Sequence, residues 1–192
     1  MKKSKSAQKI INLRGASQAQ GEDNKPVKKG IYLLPNVLTT GALFAGFYAV
    51  VLGFAGNYEL AVVAIFTAMF FDGLDGRVAR LTNTESDFGV QYDSLADMVS
   101  FGIAPAVVSY AWGLSNLGKI GIAAAFVYAS CAALRLARFN VQSGHTDERQ
   151  FTGLPSPAAA ALVAGFIGSV QGLQSQIMFA LAAFLTAVAG LL

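Results

Sequence analysis

Four aspartates interrupt a stretch of sequence that is otherwise apolar: Asp72, Asp75, Asp93 and Asp97. Asp72 and Asp75 stand three positions apart and Asp93 and Asp97 four, so each pair shares one face of a helix. In a membrane-spanning helix each carboxylate costs about 2.5–3.5 kcal/mol at mid-depth, and less near the interface. A cluster of four therefore predicts compensation, because carboxylates this close stay ionised only beside cations. An all-oxygen donor set suits hard divalent ions, Mg2+ or Mn2+, and the charge is enough for two. Gly73, Gly76 and Ala79 leave the same helix bare for a bulky ligand, and Gly89 leaves room one turn before Asp93. Arg80, one turn beyond Gly76, offers a guanidinium fork to phosphate. The chemistry predicted is divalent metal acting on a phosphate-bearing substrate.

Other uses of such a cluster fit less well. Carboxylate-based ion transport goes with repeated or broken helices, and the sequence has no internal repeat. A di-iron site asks for Glu and Glu-x-x-His pairs, whereas the single histidine, His145, lies in a polar stretch. Glu85 and Asp87 read as solvated loop charges between the two aspartate pairs.

The elements that carry these residues follow from the hydropathy pattern. The 192 residues are 54% hydrophobic and 13% charged, against about a quarter charged in a soluble domain. Apolar runs long enough to cross about 30 Å of hydrocarbon predict an all-α integral membrane bundle of six transmembrane helices. Their predicted spans are Leu34–Phe54, Glu59–Leu81, Gln91–Leu114, Leu117–Asn140, Ser156–Val170 and Gln174–Leu192. The second and third, joined by a short turn with Asn83, are expected to pack antiparallel and bring the aspartates together. Residues 1–30 form a basic tail and residues 31–192 the membrane domain, with a short interfacial stretch over Val27–Leu33.

Charge placement orients the bundle. Eight of the 14 Lys and Arg lie in the tail, and Arg77, Arg80, Arg135, Arg138 and Arg149 flank the second and fourth connections. Only Lys119 falls on the opposite side. The N-terminus and the aspartate end are therefore expected in the cytoplasm. The tail suits an anionic membrane surface, and no basic stripe with interleaved aromatics suggests nucleic acid. The apolar run from Ile31 is too long for the h-region of a cleaved signal peptide. Cys131, the single cysteine, reads as a small packing residue.

The pattern Asp72-x2-Asp75-Gly76-x2-Ala79-Arg80-x8-Gly89-x3-Asp93-x3-Asp97 resembles the signature of the CDP-alcohol phosphotransferase family at all eight positions. A chance match in a chain of this length is on the order of 10⁻⁷ at ordinary residue frequencies. Arg135-Leu136-Ala137-Arg138-Phe139-Asn140 and Phe151-Thr152-Gly153-Leu154-Pro155-Ser156-Pro157 are similar to the phosphatidylserine synthase branch, as is Leu34-Pro35-Asn36-Val37-Leu38-Thr39.

The resemblance implies a multi-pass enzyme of a prokaryotic cell (inner) membrane, acting as a homodimer on CDP-diacylglycerol and L-serine. It implies two divalent ions, Mg2+ or Mn2+, held by Asp72, Asp75, Asp93 and Asp97, with Asp97 also the general base. Gly76, Ala79, Arg80 and Gly89 are expected to receive CDP-diacylglycerol, with Asn36 and Thr40 as further contacts. Arg135, Arg138 and Asn140 are candidates for the serine carboxylate or a lipid phosphate. The rival readings are a sibling enzyme that uses glycerol 3-phosphate or inositol, an archaetidylserine synthase, a membrane prenyltransferase and, outside enzymes, a metal transporter.

Overall fold

A computed structural model describes residues 33–82, 86–143, 154–170 and 176–191. The basic tail, the interfacial stretch before Leu33, Asn83, Glu85, His145, Arg149, residues 151–153 and the expected start of the last helix at Gln174 lie outside the described residues.

The described residues are helical, with no strand among them. Helix α1 is Leu33–Phe54 and α2 is Tyr58–Thr82. Helix α3 runs continuously over Asp87–Trp112. It comprises an α segment Asp87–Asp97, a π segment Met98–Ile103 and a second α segment Ala104–Trp112. A 3₁₀ turn at Leu114–Leu117 leads to α4, Lys119–Ser143, followed by α5, Ser156–Val170, and α6, Gln176–Leu191.

Three of these, α1, α3 and α4, are long and apolar enough to cross a membrane. Helix α2 has 25 residues but carries Asp72, Asp75, Arg77 and Arg80 in its C-terminal half, so its own chemistry lowers its hydropathy. Helices α5 and α6 have 15 and 16 residues, or about 22–24 Å at 1.5 Å per residue, short of about 30 Å.

Packing follows membrane rules. The interior is lined by small residues, among them Ala45, Ala49, Ala61, Ala64, Ala68, Ala104, Ala160 and Ala164. Phe44, Phe47, Phe54, Phe66, Phe70, Ile120 and Phe126 point outward. Water would reverse that arrangement. Hydrocarbon permits it, because small residues let backbones approach and large ones dissolve in lipid. Helix α1 is the brace, packing along α2 and against every segment of α3. At its closest crossing, a Cβ on Gly46 would stand 2.6 Å from Ser100 Cα, so only glycine fits. Ser100 Oγ donates to Ala42 O at 3.0 Å across the same crossing.

The π segment has a local cause. Pro105 has no N–H, and in an α-helix its ring would strike the carbonyl of Phe101. The helix takes one wide turn instead, with the Ala104 N–H reaching Val99 O. The Phe101 carbonyl, deprived of its backbone donor, accepts from Tyr128 Oη on α4 at 2.8 Å.

Two expectations are corrected. Helix α3 begins at Asp87, four residues before Gln91, because the Ser86 side chain caps it by accepting from the Gly89 N–H at 3.0 Å. Asp87 is thus a first-turn residue of α3, where its charge favours the helix dipole, and not a loop charge. The pairing of α2 and α3 does bring Asp72, Asp75 and Asp93 together, but the two backbones pack closely over only part of their length. Helix α2 meets the π segment and the second half of α3, while the aspartate-bearing first half of α3 diverges from it. The outcome is a cleft in the sense of a gap between the backbones, across which the carboxylates of Asp72 and Asp75 approach that of Asp93.

Candidate active site

Asp75, near the cleft wall, is buried at 5% exposure, and Asp72, Asp93 and Asp97 are half-buried. One carboxylate oxygen from each of Asp72, Asp75 and Asp93 lies within 4.8 Å of the others. An ion with ligands at about 2.1 Å spans about 4.2 Å between opposite oxygens, so this triad can close on a divalent cation. The donors fit such an ion in chemistry as well as in spacing. Asp97 stands outside the triad, and its carboxyl group is within hydrogen-bonding reach of Asp72.

Two helices supply the carboxylates and a third holds one of them. Thr39 of α1, itself 4% exposed, donates from Oγ1 to Asp75 Oδ2 at 2.7 Å. Thr39 entered the sequence reading only as part of a motif. Its contact joins residues 36 positions apart, which periodicity does not foresee.

Next to Asp72 and Asp75 along the chain, the surface of α2 is bare. A Cβ placed on Gly73 or Gly76 would meet nothing within 4 Å, in contrast to Gly46. The half-buried Ala79 continues this bare strip. Arg80 is exposed, and its Nε donates to Gly76 O at 3.0 Å along its own helix. A phosphate would therefore be met by its terminal nitrogens. Across the cleft, Asn36 Oδ1 lies 3.8 Å from where a Gly89 Cβ would stand. Thr40 Oγ1 hydrogen-bonds Tyr92 Oη at 2.9 Å, tying α1 to α3. Tyr92 stacks on the exposed ring of Phe88 with centroids 5.9 Å apart. Neither aromatic was singled out from the sequence, although their spacing of four residues was available as a signal.

The third group of candidates sits at the end of α4. Asn140 Oδ1 accepts from Ser94 Oγ at 3.0 Å, which ties the end of α4 to the aspartate-bearing segment of α3. Arg135 is half-buried and Arg138 exposed on the same helix.

A bundle of small-residue-packed helices with a four-aspartate cleft at one end defines a class, and the sequence comparisons agree with it. Residues 32–188 match the CDP-alcohol phosphatidyltransferase family, and the chain belongs to it. Among its relatives is the CDP-diacylglycerol–serine O-phosphatidyltransferase of Helicobacter pylori strain J99. It is 43% identical over 133 residues, covering 69% of this chain and 56% of that protein. The enzyme of the same name from Bacillus subtilis strain 168 is 40% identical over 126 residues, covering 66% and 70%. That of Methanocaldococcus jannaschii is 48% identical over 102 residues, covering 53% and 47%. The chain thus spans about half the length of most of the relatives it matches.

Proposed function

We propose that this chain transfers the phosphatidyl group of CDP-diacylglycerol to L-serine, forming phosphatidylserine and releasing CMP. The observation that carries the reading is the cleft itself. Three carboxylates are sized for a divalent cation, a fourth stands beside them, and the space over Gly73 and Gly76 is bare. The names of its relatives supply the substrates.

In this reading Asp72, Asp75, Asp93 and Asp97 would hold Mg2+ or Mn2+, and their charge is enough for two ions. When bound, such ions withdraw charge from the pyrophosphate and stabilise the departing CMP. The chain's own residues do the rest. Gly73, Gly76 and Ala79 admit the nucleotide diphosphate to the backbone of α2. Arg80 meets a phosphate with its terminal nitrogens, and Asn36, Thr40 and Gly89 line the opposite wall. Asp97 takes the proton from the serine hydroxyl as its oxygen bonds to phosphorus and the bond from phosphorus to the CMP oxygen breaks. Asn140, tied to α3 through Ser94, orients the amino acid with Arg135 and Arg138.

The proposal extends to the membrane. Leu60, Val63, Phe66 and Phe70 form an outward apolar stripe on α2, which supports α2 as a span despite its charges. Counting α5 and α6 as well gives six spans. The basic residues of the second and fourth connections support a reading with the cleft and the N-terminus on the cytoplasmic side of a prokaryotic inner membrane. A homodimer belongs to the same reading and rests on the family resemblance.

The test is to incubate the purified protein and CDP-diacylglycerol with labelled serine, inositol or glycerol 3-phosphate. Phosphatidylserine and CMP in equal amounts, with serine alone labelling lipid, is the expected result. Labelled lipid from inositol or glycerol 3-phosphate in place of serine would overturn the acceptor assignment.

A further inference from the structure

We infer that Thr39 is a positioning residue that sets how Asp75 binds metal, and so which divalent ion the cleft prefers. The inference rests on the proposed metal site and assigns to α1 a role in it.

Thr39 is locked twice. It is β-branched within a helix, which restricts its first torsion. Its Oγ1 also lies 3.0 Å from Pro35 O, one turn back, in the usual threonine back-bonded position. From there the same oxygen is 2.7 Å from Asp75 Oδ2. The hydroxyl has one proton for two acceptors. The carboxylate contact is the shorter, and a bond to an ionised acceptor is roughly twice as strong as one to a neutral carbonyl, so the proton lies towards Asp75. Both side chains are at least nine-tenths buried, so water does not compete for that bond.

The consequence concerns denticity. With Oδ2 engaged by the Thr39 hydroxyl, Asp75 is left with Oδ1 as its free oxygen to present to an ion. Mg2+ and Mn2+ accept single-oxygen carboxylates in a small octahedral shell. Ca2+ takes more ligands at longer distances and commonly binds carboxylates through both oxygens. A carboxylate pinned by Thr39 therefore favours the smaller ions and disfavours Ca2+. Without the hydroxyl, Asp75 is released to rotate and chelate.

The test compares Thr39→Val, which keeps the shape and removes the hydroxyl, with Thr39→Ser, which keeps the hydroxyl. Mn2+ binding to purified protein is measured by the loss of the free-ion paramagnetic signal, with Ca2+ as competitor, alongside thermal melting. The expected result is about a tenfold loss of Mn2+ affinity in Thr39→Val. Ca2+ should change less, so that the preference narrows, and Thr39→Ser should resemble the unaltered protein. A purely structural role would move the melting temperature and leave the Mn2+/Ca2+ preference alone. The inference is overturned by Mn2+ binding in Thr39→Val within about twofold of the unaltered protein. It is equally overturned by parallel loss of both ions, or by a loss in Thr39→Ser as large as in Thr39→Val. Should Thr39→Val fail to fold, Thr39→Ala removes the hydroxyl and is held to the same outcomes. Absence of Mn2+ binding in the unaltered protein would overturn the metal site and this inference together. Normal binding there with an unchanged Thr39→Val would overturn this inference alone.

Discussion

The two halves of the α2–α3 pair differ in what fills the space between them. Beyond the π segment, Ala61, Ala64, Ile65 and Ala68 of α2 and Ala104 and Val108 of α3 are buried in one continuous core. On the other side of it the backbones part, and the carboxylates of Asp72, Asp75 and Asp93 approach one another across the gap. Small residues occur in both halves with opposite effect. Gly46 of α1 is glycine because Ser100 presses on it, whereas Gly73 and Gly76 of α2 face open space. In one half a missing side chain lets helices touch, and in the other it keeps room for a ligand. The same residue type thus serves cohesion and access, and the π segment marks the boundary.

Each half can be perturbed on its own. The largest effect belongs to the cleft. Asp93→Ala should lower turnover by at least about 10³-fold while leaving the melting temperature unchanged or raised, because it removes repulsion among the carboxylates. Chelation by EDTA should do the same to the unaltered protein, with recovery on adding Mg2+ or Mn2+. Persistent turnover in EDTA would remove metal from the account. Gly76→Leu, which fills the open strip, should raise the KM for CDP-diacylglycerol about tenfold with little change in melting; an unchanged KM would place the nucleotide elsewhere. In the packed half the effects invert. Gly46→Ala should destabilise the protein by about 1–3 kcal/mol, since a backbone atom of Ser100 has to move. Its effect on turnover per folded molecule should be small, and normal melting would contradict the crossing at Ser100. An effect of the same order is expected at the boundary. Tyr128→Phe leaves the Phe101 carbonyl without its donor, and should cost about 1–3 kcal/mol by denaturation.

Much of this was legible in the sequence because membrane helices are constrained by length and charge. The end of α1 at Phe54 and both ends of α5 fall where hydropathy put them. The aspartate pairs were legible for the same reason, since nothing else in a span tolerates such charges. What escaped was lateral or local. The Ser86 cap lay outside the apolar run and was passed over, although a serine with its acceptor three residues before a glycine N–H is a recognisable start. Pro105 was a visible signal of the π segment, for a proline in a helix interior must orphan a carbonyl. Which residue repairs it, Tyr128, depends on how α4 crosses α3. Thr39 was hidden for the same reason, as its partner lies on another helix. The divergence of α2 from the first half of α3 follows from the brace of α1 against both, a three-helix property that no pairwise spacing contains.

In the proposed reaction Asp97 activates the acceptor beside aspartates that hold metal. Asp97→Asn tests it most directly, with turnover and CDP-diacylglycerol binding measured on the same preparation. Turnover should fall to background while CDP-diacylglycerol binding remains detectable, because asparagine keeps the shape and the hydrogen-bonding contact but cannot take a proton at neutral pH. Turnover near that of the unaltered protein would contradict the assignment.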